Sequence, residues 1–198
     1  MFGFGKKIPQ QVPLEEQIST VSKFGIRLLP DRKVDELLIA RGREEYESEP
    51  FTLLLTMMGS QVEEPPWGRW FSDDIWHFDT ECIEGNGSYV RIAERLAVLA
   101  KGQLPIQNPR DHVDIEAGKA WIEFQLNGES QRCNLVVEDD WVDPAIFGWF
   151  ASLLERRRSP GRYMYFNLDG QDCLIGFATP VLLKQLRKET GLDFVWFK

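Results

Sequence analysis

Apolar positions along the chain recur with two periods, and each change of period marks a predicted element. Leu14, Ile18 and Val21 follow helical spacing. A helix is predicted over residues 32–41, where Val34, Leu37 and Leu38 share a face, Asp31 caps the start and Gly42 marks the stop. The apolar run 51–58 has the length of a buried strand. Pro65, Pro66 and Gly68 make 59–72 a loop, and that loop carries Trp67, Trp70 and Phe71. Alternation returns over 75–83, with Trp76, Phe78 and Cys82 on one side and His77, Asp79 and Glu81 on the other. Ser88 is the expected cap of a helix over 88–101 that Gly102 closes.

Three extended segments follow, at 112–117, 120–126 and 131–137, the last two joined by Asn127-Gly128, a strong hairpin signal. Asp143-Pro144 starts a helix of about 14 residues. A second hairpin is predicted from 162–168 and 173–177 around Asp169-Gly170, then a helix over 179–189 and a last strand over 193–197. Hairpins with single helices between them define an α+β protein: a mainly antiparallel sheet with about four or five helices packed on it. The domain is expected to span 14–198, with 14–50 as a helical appendage. Residues 1–13, rich in Gly, Lys and Pro, read as a flexible N-terminal tail.

Composition narrows the classes of function. The chain has 198 residues, 43% of them hydrophobic and 12% aromatic, enough for a full core without disulfides or a structural metal. No apolar run approaches the length of a membrane helix, so the expected location is the cytoplasm. The three cysteines, Cys82, Cys133 and Cys173, form no Cys-x-x-Cys pair and read as reduced thiols. The net charge of −8 argues against nucleic-acid binding, which needs a basic surface. That charge is unevenly placed. Residues 1–42 hold seven basic and five acidic side chains, residues 43–147 eight and 21, and residues 148–198 eight and five, for net charges of +2, −13 and +3.

Two constellations are candidates for chemistry. Both histidines begin the same pattern, His77-x-Asp79-x-Glu81 and His112-x-Asp114-x-Glu116. On a strand each row would present one imidazole and two carboxylates about 6.6 Å apart. If the rows paired, they would suit a divalent metal such as zinc or manganese, with Glu81 or Glu116 as general base of a hydrolase. No nucleophile signature accompanies either histidine. The second constellation is the acidic turn of Glu138, Asp139, Asp140 and Trp141 ahead of Asp143. Carboxylates before a helix complement its dipole. With Trp67 and Trp70, the same residues Asp139, Asp140 and Trp141 would form a charged, aromatic hot spot for a basic protein.

The leading expectation is a cofactor-free, non-enzymatic binding module that engages a basic partner through its acidic middle segment. In being small, acidic and rich in aromatics, the chain is similar in composition to bacterial proteins that neutralise toxins by binding them, which implies inhibitor or immunity-like character. The alternatives are the metal-dependent hydrolase and an oligomer-forming protein whose loop tryptophans bury against a second copy.

Overall fold

A computed structural model describes residues 11–197; most of the tail expected over 1–13 lies outside the described residues. Within it, Val12 packs on the core, and its carbonyl accepts a 2.7 Å bond from Gln17 Nε2. The elements run α1 (Leu14–Lys23), α2 (Val34–Ala40), α3 (Arg43–Ser48), α4 (Thr52–Met58), β1 (Ile75–Asp79), α5 (Ser88–Leu99), β2 (Ile106–Asp114), β3 (Lys119–Leu126), β4 (Glu129–Val136), α6 (Ala145–Arg156), β5 (Arg162–Asn167), β6 (Asp172–Ala178), α7 (Pro180–Thr190) and β7 (Val195–Trp196). The fold is α+β. Its strands are all antiparallel and divide between two sheets, β1-β6-β5-β7 and β2-β3-β4. Among the described residues seven helices are present, two or three more than expected: the first 50 residues fold into three instead of two, and residues 52–58 add a further one, α4.

The four-stranded sheet is apolar on both faces. Ile75, Met164, Leu174 and Ala178 point into a core with residues of α1, α3, α4 and α7. Trp76, Phe78, Tyr163 and Ile175 point the other way, onto α5, α6 and the inner side chains of the three-stranded meander. Helices, central sheet, a second helical layer and an outer sheet therefore stack in that order. Burying both faces removes apolar surface from water on each side, worth roughly 25 cal/mol per Å².

The expected strand over 51–58 is instead helix α4, a correction with a clear physical cause. A short apolar run fits either period, and the burial of Leu54, Leu55 and Met58 follows the helical one. Thr56 Oγ1 and Ser60 Oγ donate to the carbonyls four residues back, at 2.9 and 2.8 Å. The helix ends against β1, where Gly59 accepts a 2.8 Å bond from the His77 amide. A Cβ on Gly59 would lie within van der Waals overlap of that amide, so the approach requires glycine.

Capping is also tertiary. Gly87, not Ser88, precedes α5, in a left-handed conformation at φ 94°. The Asp111 carboxylate of β2 accepts from the amides of Gly87 (2.7 Å) and Val90 (3.1 Å). The carboxylate at this glycine-rich helix start is the chain's own, from a strand 24 residues beyond Gly87. At α2, Asp31 pairs with Arg32 while Glu36 accepts the Lys33 amide at 2.6 Å.

Candidate functional site

The two histidine rows fall in different sheets. Among the described residues, His77 and Asp79 lie on β1, which pairs only with β6, and His112 and Asp114 on β2, which pairs only with β3. The six side chains do not converge, and among the described residues no group of three His, Cys, Asp or Glu is arranged to hold a metal ion. Neither row is a complete strand face. Asp79 ends β1 by accepting the Glu81 amide at 2.8 Å, and Asp114 accepts the Ala117 amide at 2.9 Å in the turn after β2, where Glu116 is exposed.

Around His77 stand a serine and a carboxylate: Ser60 Oγ is 3.2 Å from Nδ1, and Asp172 Oδ1 is 3.5 Å from Nε2. The Ser60 hydroxyl donates to Thr56, so it serves the end of α4 and is not poised as a nucleophile. His112 lies on the wet face of the meander beside Trp121, over which Arg132 stacks at 4.1 Å.

The aromatic candidates separate as well. Trp67 is 71% exposed at a loop tip, and the Arg69 guanidinium holds that loop by bonds to the carbonyls of Glu64, Pro65 and Pro66. Trp70 lies half-buried under the guanidinium of Arg95, 3.9 Å from its ring centre. Arg95 is itself buried and bonds Asp73 and the carbonyls of Ser72 and Ile75, which fixes the approach to β1; burial pulls its pKa below the usual arginine value. Trp141 lies beyond the opposite end of β1, bridged to Glu81 and Glu138.

At Trp141 the structure assembles a groove of about 710 Å³ between the central sheet and the start of α6. Its apolar walls include Trp141, Phe147, Tyr165, Trp196 and Phe197, with Thr80, Asn167, Gln171 and Asp172 as polar neighbours. Phe147 and Phe197 stack at 4.9 Å with planes 11° apart, and Tyr165 stacks on Phe197 at 4.6 Å. Cys173 also lines the groove, and burial raises its thiol pKa to about 12, far from a reactive thiolate.

Acidic residues gather at this end of the sheet. Val142 donates to the Thr80 carbonyl, Ile83 to that of Asp140, and Thr80 to that of Gln171, which joins the loops after β1, before α6 and before β6. Asp79 and Asp172 are direct cross-strand partners, a pairing of like charges that weakens a sheet. Among the described residues, none of Asp79, Glu81, Glu138, Asp139, Asp140, Asp169 and Asp172 pairs with a lysine or arginine. Complementing the α6 dipole accounts for Asp143 alone, whose carboxylate accepts the amides of Ala145 and Val136; Asp139 and Asp140 stay exposed.

The acidic turn and Trp141 were legible in the sequence, whereas Phe147, Tyr165, Trp196 and Phe197 were not. For Trp196 and Phe197 the signal was the aromatic density of the last strand; Phe147 in α6 and Tyr165 in β5 had none beyond the apolar pattern of their elements. Comparisons with protein-family models, curated proteins and solved structures return no significant match, so the site is read from its geometry.

Proposed function

We propose that this protein is a binding module that engages a basic protein partner through the acid-rimmed aromatic groove at Trp141. The observation that carries the reading is an aromatic groove at the end of the sheet where three hydrogen-bonded loops bring together carboxylates that, among the described residues, have no lysine or arginine partner. A rim of one charge sign steers an oppositely charged partner, and a desolvated aromatic centre supplies the hot spot. Asp139 and Asp140 act in steering and Trp141 in contact.

Titration of the full chain with polylysine, polyarginine and polyglutamate tests this. Both polycations should bind, weaken several-fold when salt is raised to about 0.5 M, and weaken again with Asp139→Asn and Asp140→Asn together. Equal binding of polyglutamate, or polycation binding indifferent to salt and to both substitutions, would overturn the reading.

A further inference from the structure

We infer that the groove receives an arginine side chain of the partner together with an adjacent apolar residue; this rests on the reading above and specifies its ligand. The groove is walled by rings whose stack, Tyr165 on Phe197 on Phe147, runs nearly parallel. Trp141, 44% exposed, stands at its open side. The stacked rings cover one another's faces, so a planar cation entering the groove meets the exposed Trp141 indole and exchanges water for polarizable carbon. A guanidinium is planar, delocalised and weakly hydrated and makes that exchange at lower cost than an ammonium, which keeps its water tightly.

Charge places the cation and size places its neighbour. Asp139 and Asp140, both exposed, immediately precede the groove residue Trp141 and put negative charge beside its indole, whereas the Asp172 carboxylate turns to His77 on the other face of the sheet. The volume of about 710 Å³ is more than one arginine side chain fills, and the remaining walls at Val142, Val195 and Phe197 are apolar. The chain makes the same pairing twice internally, Arg95 over Trp70 at 3.9 Å and Arg132 over Trp121 at 4.1 Å.

The experiment uses capped tetrapeptides of sequence Gly-X-Leu-Gly, with X arginine, lysine or citrulline, titrated calorimetrically against the full chain. The arginine peptide should bind about fivefold tighter than the lysine peptide, and the uncharged citrulline peptide more weakly than either. Trp141→Ala should abolish the arginine preference and Trp141→Phe should retain most of it, while Asp139→Asn with Asp140→Asn should weaken both cationic peptides alike. Side-chain proton resonances of the bound arginine should move upfield in the wild-type protein through ring currents, a readout that needs no variant.

Equal affinity for arginine and lysine peptides, a preference untouched by Trp141→Ala, or unshifted arginine resonances would overturn the inference and leave the basic-partner reading standing. Tetrapeptides that fail where polycations bind would do the same. Failure of tetrapeptides and polycations together would overturn both.

Discussion

The two antiparallel sheets use the same strand chemistry to opposite ends. In the outer meander β2-β3-β4 one face is buried and the other wet: Ala120, Ile122, Phe124 and Leu126 turn inward, while the outer face carries Arg110, His112, Trp121, Glu123 and Arg132. In the central sheet no face is wet over the middle of the strands, because helices cover both. Polar side chains on central strands therefore collect at strand ends, where Asp79, Asp172 and Asn167 meet loops. An alternating strand thus makes a surface in the outer sheet, whereas in the central sheet only the end of a strand can make a site. The two histidine rows express this difference, since His112 sits on a solvated face and His77 is wedged under the end of α4.

The largest expected effect asks whether the two sheets melt as one. Tyr46 is buried in the core beneath α1–α4, and Tyr89 and Tyr163 in the core shared with the meander. Burial raises Tyr46 and Tyr89 to about 12 and Tyr163 well above its ordinary value of 10.0. The folded chain therefore holds these protons more tightly than the unfolded one. Their contribution to stability is complete below pH 10 and is lost as pH climbs from 10 through about 12. Tyrosinate absorbance and far-ultraviolet circular dichroism should change together in one alkaline transition. Two separate steps would divide the sheets into independent units.

Substitutions of adjacent residues sharpen the contrast. Leu174→Ala and Ile175→Ala face opposite sides of β6, both 0% exposed, and each should cost about 3 kcal/mol. On β3, Phe124→Ala should cost about 4 kcal/mol, and its outward neighbour Gln125→Ala no more than about 0.5 kcal/mol. Denaturant unfolding measures all four, and a small cost at either β6 position would break the comparison. The smallest effect concerns the link between the meander and α5. Asp111→Ala removes the carboxylate that takes the Gly87 and Val90 amides and should cost about 1 kcal/mol, with Asp111→Asn closer to wild type.

Local chemistry explains which parts were readable. Asn127-Gly128 and Asp169-Gly170 are turns because both residues of each pair adopt positive φ, at 56° and 83° and at 66° and 86°, which asparagine, aspartate and glycine tolerate. The helices α5, α6 and α7 carry clear apolar stripes, and each lies close to its predicted place. Residues 51–58 misled because an apolar run of about two helical turns, without clear amphipathicity, fits a strand as well as a helix. Ser88 misled because the better acceptor arrives 23 positions later in the chain, at Asp111. The acidic turn was visible as a run of like charge, but the rings opposite it come from α6, β5 and β7.

By itself the sequence determined the α+β class, the hairpins, the long amphipathic helices and an acidic, aromatic turn, since each depends on neighbours a few positions apart. The tertiary structure decided that Ile75 pairs with Gly176, that two sheets form instead of one, and that Trp141 lines a groove with stacked rings from distant elements. Turn geometry and helical period are short-range and written in adjacent residues. Strand partners and layer order are set by which apolar faces bury one another best, a property of the whole chain.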